Sequence, residues 1–117
     1  MKKIVVVDDA EFMRLALKTS LEKNGYEVVG EAENGLKGLE LYKSKKPDII
    51  TLDITMPIME GIATLKEIMK YDPKANVIMV SALGQESKVR QAVVLGAKSF
   101  IVKPFGDETL LKAISIF

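Results

Sequence analysis

The sequence predicts an α/β domain in which helices cover both faces of a parallel sheet. Short apolar segments rich in β-branched residues alternate with longer amphipathic segments, five of each kind. The apolar segments are continuous runs, which is typical of strands buried on both faces of a sheet. A length of 117 residues and a hydrophobic content of 48% fit one domain with a sizeable core, and we take residues 1–117 as that domain.

The first half of the chain supplies three strands and two helices. The strands are predicted at "KIVVVD", "EVVGEA" and "DIITLD". The helix over residues 10–24 places four apolar side chains on one face and ends at Gly25, a residue suited to a left-handed cap. The helix in "NGLKGLELYKSKK" ends at Pro47. The predicted inward positions of these two helices are Met13, Ala16, Leu17, Leu21, Leu36, Leu39 and Tyr42.

The second half repeats the pattern with three helices and two strands. "GIATLKEIMKYD" is a helix that stops before Pro73, "NVIMVSA" is a strand, and "ESKVRQAVVLG" is a helix capped by Gly96. "KSFIVKP" is the fifth strand, and "DETLLKAISIF" is the last helix, with Asp107 as its N-cap. The predicted inward positions are Ile62, Leu65, Ile68, Met69, Val89, Ala92 and Val93.

Composition excludes several classes of function. Lys and Arg number 17 and Asp and Glu number 16, and this balance argues against a nucleic-acid-binding protein held by bulk charge. The chain has no Cys and no His, so disulfides, thiolate or imidazole metal sites and histidine general bases are absent. The apolar start is too short for a secretory signal, and no segment is long enough to span a membrane. We therefore expect a soluble cytoplasmic protein.

Polar residues stand at the ends of four predicted strands. The first strand ends at Asp8 and Asp9, the third at Asp53, the fourth at Ser81 and the fifth at Lys103. In a parallel sheet these ends share one edge, and ligands bind in the crevice outside it. Each residue alone has a plainer explanation, such as a helix cap, a turn residue or a solvated charge. Their shared position favours one polar pocket.

Three neighbouring carboxylates predict a divalent cation, because they repel one another strongly without one. Oxygen ligands suit Mg²⁺, which typically binds one or two carboxylates together with a phosphate. A hydroxyl and an ammonium beside the acids would contact such a phosphate, and an aspartate can itself accept a phosphoryl group. The first loop, "VDDAEFM", lacks the Ser, Thr and Gly residues of a flavin-phosphate loop, which disfavours a flavin-binding function.

Four stretches carry a resemblance that covers nearly the whole chain: "VVVDDAEFMR", "PDIITLDITMPIMEGI", "VIMVSALGQ" and "GAKSFIVKPF". Together they resemble the receiver domain of bacterial two-component response regulators, and above all its single-domain chemotaxis members. The resemblance implies a doubly wound, flavodoxin-like (βα)5 fold with three layers and strand order 2-1-3-4-5. It also implies a switch that assists its own phosphorylation and dephosphorylation and is not an enzyme in the usual sense.

The resemblance assigns an acceptor and a metal site. Asp53 would be the phosphoacceptor. Asp9 and Asp53 would be carboxylate ligands of Mg²⁺, Asp8 would lie close by through water, and Thr55 would offer its backbone carbonyl.

The same resemblance assigns the phosphoryl contacts and the switch. Ser81 and Lys103 would contact phosphoryl oxygens, and a cis peptide would precede Pro104. Ser81 and Phe100 would form the switch, with Phe100 turning inward after phosphorylation and altering the face of the fourth helix, fifth strand and fifth helix. Many family members have Thr and Tyr at these two positions, so the coupling here would depend on packing. Phe100 could equally be a plain packing residue.

The implied partners are a histidine kinase of the chemotaxis type, the flagellar motor switch protein and a phosphatase, with no nucleic acid or membrane. A monomer without an output domain is expected. A phosphorelay intermediate and a receiver cut from a transcription factor are alternatives within signalling. A magnesium-dependent phosphatase of the haloacid dehalogenase type is an alternative from another class. That type needs a second Asp two residues after the nucleophile, where this chain has Thr55.

Overall fold

The computed structural model describes all 117 residues and shows five strands and five helices in alternation. Each predicted element is present, and its observed ends differ from the predicted ones by a few residues at most. The strands are β1 (Lys3–Val7), β2 (Glu27–Ala32), β3 (Ile49–Asp53), β4 (Val77–Ser81) and β5 (Ser99–Val102). The helices are α1 (Glu11–Lys23), α2 (Gly35–Lys45), α3 (Gly61–Tyr71), α4 (Glu86–Val94) and α5 (Asp107–Ile114).

The five strands form one parallel sheet in the order β2-β1-β3-β4-β5, which confirms the predicted topology. The order reverses direction beside β1, and this reversal opens a crevice at the carboxyl ends of β1 and β3. Asp53 lies opposite Val80 in the register of β3 and β4. β4 therefore ends one residue beyond β3, and the loops that follow the two strands begin side by side.

Two apolar clusters, one on each face of the sheet, hold the three layers together. A cluster of 18 buried residues joins the sheet to α2, α3 and α4, and a cluster of 10 joins it to α1 and α5. Leu65 and Ile68 of α3 are fully buried in the first cluster, and Leu17 and Leu21 of α1 are buried in the second. Burial of apolar surface on both faces explains the continuous apolar strands.

The N-caps of α2 and α5 show how these helices begin, and one predicted cap is wrong. The Asn34 side chain accepts from the N–H of Lys37 at the start of α2, as an N-cap residue does. Asp107 was predicted as the N-cap of α5, but Gly106 occupies that position. Asp107 is the first helical residue, and its carboxylate accepts from the Ser20 hydroxyl of α1 at 2.9 Å.

No helix of the chain has both the length and the apolar character needed to cross a membrane.

Three predicted inward positions are exposed, namely Ala16, Leu36 and Val93. Leu36 is 43% exposed and Val93 is 51% exposed. The helical periodicity was correct, but the apolar stripe of each helix is wider than the strip of sheet that covers it. Val93 instead lines an open groove beside β5.

Candidate functional site

Three carboxylates meet at the carboxyl edge of the sheet, as the sequence predicted. Asp8 and Asp9 follow β1, and Asp53 is the last residue of β3. Oxygen atoms of these three side chains lie within 4.8 Å of one another. Asp8 and Asp53 are buried, whereas Asp9 is exposed. The cluster is therefore open to solvent on one side and enclosed by the sheet on the other.

Lys103 brings one positive charge to the three acids. Its Nζ lies 2.9 Å from Asp8 Oδ2 and 3.5 Å from Asp53 Oδ2. The Lys103 N–H also donates to the Ser81 carbonyl at 2.7 Å, which fixes the backbone beyond β5 against the end of β4. The peptide between Lys103 and Pro104 is cis, as predicted. The four groups together carry a formal charge of about −2 when all are ionised.

Burial and like charge perturb the ionisation of the pocket. Burial is the main cause that raises the pKa of Asp53 to about 6, and the neighbouring Asp8 charge adds to it while Lys103 opposes it. Burial alone would lower the pKa of Lys103. Its close contact with Asp8 and the charge of Asp53 outweigh burial, and the pKa of Lys103 is raised. Lys103 therefore stays charged at neutral pH, and Asp53 takes up a proton more readily than an ordinary carboxylate.

Local contacts hold Asp8 and Asp53 in place. The Ala10 N–H donates to Asp8 Oδ1 at 2.9 Å, and the Arg14 guanidinium donates to the Asp8 carbonyl. Gly61, the first residue of α3, packs against the end of β3 so closely that a Cβ there would lie 2.2 Å from the Asp53 carbonyl oxygen. Only glycine permits this approach, which sets the position of the Asp53 backbone.

Ser81 and Phe100 both line an apolar groove beside β5. Ser81 is buried, and its hydroxyl donates weakly to the Ile101 carbonyl at 3.4 Å. Phe100 is 47% exposed. Both residues line a groove of about 510 Å³ between α4 and β5, together with Val89, Val93 and other mainly apolar side chains. Ser81, the last residue of β4, therefore belongs both to the carboxyl edge that carries the acids and to this groove.

Thr55 is exposed, two residues beyond Asp53. Its hydroxyl accepts from Gln85 Nε2 at 2.9 Å, and Gln85 Oε1 accepts from the Ala82 N–H at 2.6 Å. We call these two hydrogen bonds the amide bridge. The metal contact predicted for the Thr55 carbonyl remains a prediction.

Comparison with known proteins identifies the family of this chain. The family model named "Response regulator receiver domain" matches residues 4–115 of this chain. The chain belongs to the response regulator receiver family. As a receiver domain it is a signalling switch and not a classical enzyme, and the predicted resemblance is confirmed.

Among receiver proteins, this chain is very similar to chemotaxis protein CheY. It is 54% identical to CheY of Thermotoga maritima over 97% of this chain and 95% of that protein. It is 55% identical to CheY of Bacillus subtilis over 97% of this chain and 94% of that protein. A crystal structure of a complex of CheX, CheY, BeF₃ and Mg²⁺ from Borrelia burgdorferi superposes with a TM-score of 0.95. It is 39% identical and covers 99% of this chain and 89% of that one.

The acidic cluster fits the Mg²⁺ that receiver domains bind. The donors are all oxygen, as a hard divalent ion requires. Asp8 Oδ2 is buried and accepts no well-aligned hydrogen bond, although the Lys103 ammonium lies beside it. A cation would relieve the repulsion among the three acids.

The sequence predicted that the three acids, Ser81 and Lys103 share one edge of the sheet, and the fold places them there. The sequence did not predict the close approach of Gly61 to Asp53 or the hydrogen bonds of Gln85. A glycine that opens a helix shortly after a strand end is a weak signal of close backbone approach. A lone glutamine in a loop gives no signal at all, because its partners are fixed only by the folded geometry.

Proposed function

We propose that this receiver domain is a phosphorylation-dependent switch that accepts a phosphoryl group on Asp53. The observation that carries the proposal is the placement of a buried carboxylate between two further acids and one lysine at the carboxyl edge of the sheet. A carboxylate oxygen of Asp53 would form the new bond to phosphorus as the bond from phosphorus to the donor nitrogen breaks. The donor would be a phosphohistidine on a separate histidine kinase of the chemotaxis type.

Charge decides when the pocket can receive a phosphoryl group. The acids outnumber the single lysine, so the empty pocket repels an incoming phosphate. Asp9 and Asp53 would hold Mg²⁺ directly, with Asp8 through water and the Thr55 carbonyl as a further ligand. When bound, Mg²⁺ supplies the charge neutralisation that lets the phosphate approach.

Lys103 and Ser81 would stabilise the phosphoryl group once it is attached. The Lys103 ammonium already lies 3.5 Å from Asp53 Oδ2, within reach of a phosphoryl oxygen on that carboxylate. The Ser81 hydroxyl donates one long hydrogen bond, to the Ile101 carbonyl, and rotation of the side chain would break only this bond. Charge-assisted contacts to a phosphoryl group are the stronger alternative, which favours rotation of Ser81 toward Asp53.

The switch would follow from that rotation. Movement of Ser81 vacates space beside Phe100, whose ring is half exposed at the apolar groove. Inward packing of the ring would bury apolar surface and change the face formed by α4, β5 and α5. Because Phe100 has no hydroxyl, the new face would be read through shape and apolar contact.

The similarity to CheY supports a chemotaxis output, in which the phosphorylated monomer would diffuse through the cytoplasm to the flagellar motor switch protein. A dedicated phosphatase would end the signal. Binding of the purified motor switch protein should be at least tenfold tighter in the presence of BeF₃ and Mg²⁺. Equal affinity in both states, combined with rapid phosphoryl transfer to a phosphotransfer domain, would replace this output with the phosphorelay function.

Intact-mass spectrometry after incubation with acetyl phosphate tests the acceptor. The wild type should gain one phosphoryl adduct only when Mg²⁺ is present. Asp53→Asn should gain none. Asp48→Asn is the matched control, because Asp48 precedes the opposite end of β3 and should leave the adduct unchanged.

Two results would contradict the proposal. An adduct that persists in Asp53→Asn would put the acceptor elsewhere. A wild type that neither forms an adduct nor binds BeF₃ with Mg²⁺ would make the chain a phosphate-independent binding module.

A further inference from the structure

The amide bridge joins the two loops that flank Asp53. One loop leaves β3 after Asp53 and contains Thr55, and the other leaves β4 after Ser81 and begins with Ala82. Because β3 and β4 end within one residue of each other in the register, the two loops begin side by side, and the Gln85 side chain spans the gap between them. Neither its position nor its two contacts are accounted for by the phosphoryl chemistry described above.

One end of the amide bridge occupies a donor that a phosphoryl group could use. A phosphoryl group brings three acceptor oxygens to the pocket. Lys103 and Ser81 offer an ammonium and a hydroxyl, and the Ala82 N–H is the next donor along the chain from Ser81. In the resting protein that N–H donates to Gln85 Oε1 at 2.6 Å. A phosphoryl oxygen and the glutamine oxygen would therefore compete for the same hydrogen.

The glutamine is also anchored to α4. Gln85 immediately precedes the helix, and its backbone carbonyl accepts from the Val89 N–H at 3.0 Å. Its side chain makes no capping bond to its own helix. Release of the side chain from Ala82 and Thr55 would thus free the first turn of α4 from the loop after β3.

We propose that Gln85 is a positioning residue whose side chain holds the phosphoryl pocket and the start of α4 in the resting arrangement. This inference rests on the proposed function, because the competing group is the phosphoryl on Asp53. The amide bridge is made in the resting state and is lost in the phosphorylated one. Its removal raises the affinity of the pocket for a phosphoryl mimic and loosens the first turn of α4.

The test is the apparent affinity for BeF₃ in saturating Mg²⁺, measured by fluorine NMR. Gln85→Met keeps the length of the side chain and removes both hydrogen bonds. It should bind BeF₃ about fivefold more tightly, since a net hydrogen bond is worth on the order of 1 kcal/mol. Thr55→Val should shift the affinity in the same direction, and Thr55→Ser should restore the wild-type value because it keeps the hydroxyl.

A matched control and a double variant separate the amide bridge from general effects. Gln91→Met makes the same change on the exposed surface of α4 and should leave the affinity unchanged. The gains of Gln85→Met and Thr55→Val should not add in the double variant, because both remove the same bridge. Amide exchange at Ala82, followed by NMR in the resting protein, should quicken in Gln85→Met.

The outcomes discriminate between this inference and the proposed function. Equal or weaker BeF₃ binding by Gln85→Met, with normal binding by the wild type, overturns the role of Gln85 alone. A lower melting temperature with unchanged BeF₃ affinity would reduce Gln85 to a structural contact and also overturns it. A wild type that does not bind BeF₃ overturns both proposals.

Discussion

The centre of the sheet and its margin differ in how tightly they are packed. We define the centre as β3 and β4 and the margin as α4 and β5. All five residues of β3 and all five of β4 are buried, whereas β5 has one buried residue among four. In α4, Val89 and Ala92 are buried, while Val94 is 86% exposed. Asp53, the proposed acceptor, belongs to the centre, and the half-exposed Phe100 belongs to the margin.

This difference separates two tasks that one small domain must combine. A phosphoryl acceptor needs a fixed position, which dense packing on both faces of the sheet supplies. A readout surface needs two arrangements of similar free energy, which is easier where few side chains are buried. Ser81 ends a central strand and lines the marginal groove, so it connects the two regions.

The largest expected effect comes from the close approach that positions Asp53. Gly61→Ala should lower the free energy of unfolding by about 3 kcal/mol, because the new Cβ would meet backbone atoms of β3 and overpack the site. Chemical denaturation measures this change. Gly106→Ala, where a Cβ meets nothing within 4 Å, should be almost neutral. Equal effects at the two glycines would show that the close approach of Gly61 does not hold the end of β3 in place.

A matched pair of valines compares the regions directly. Val80→Ala in the centre should cost about 2 kcal/mol of unfolding free energy, since Val80 is 1% exposed. Val94→Ala in the margin should change it by less than about 0.5 kcal/mol. Urea titrations of both variants check the pair. A loss at Val94 as large as that at Val80 would contradict the assignment of α4 to a loosely packed margin.

The carboxyl group of Asp53 should make the free energy of unfolding depend on pH, because its ionised form is disfavoured in the folded state. The pKa of Asp53 is raised to about 6 in the folded state, so its contribution to stability is lost as pH rises through 6. Asp53→Asn should therefore unfold less readily than the wild type at pH 7.5 without Mg²⁺, by ~1–2 kcal/mol. This gain should vanish near pH 4. Thermal unfolding across this pH range measures it, and a gain that grows toward low pH would refute the cause.

The smallest effect is expected at Phe100. Because its ring is 47% exposed, Phe100→Ala should cost no more than about 1 kcal/mol of unfolding free energy. Ile101→Ala, at a neighbouring position that is 3% exposed, should cost at least twice as much. Denaturation curves of the two variants measure the ratio. A larger loss of unfolding free energy at Phe100 would show that its ring is part of the core, and this would contradict its proposed role in the switch.

The sequence was sufficient to predict the structure of the centre, and it was less informative about the margin. Continuous apolar runs ending in Asp8, Asp53 and Ser81 predicted both the strands and the pocket, because burial on two faces leaves little freedom in pattern or register. Val93 was misplaced because periodicity shows which face of a helix is apolar and not how much of it is covered. The amide bridge of Gln85 depends on how two loops meet, which no local pattern encodes.

We expect a phosphoryl group in the rigid centre to be read out at the loosely packed margin. Two-dimensional amide NMR of the wild type with Mg²⁺, before and after addition of BeF₃, tests it most directly. We expect large changes of chemical shift in α4 and β5 as well as at the pocket, and little change in the interior of β3. Changes confined to the residues around Asp53, or spread evenly over the whole sheet, would contradict it.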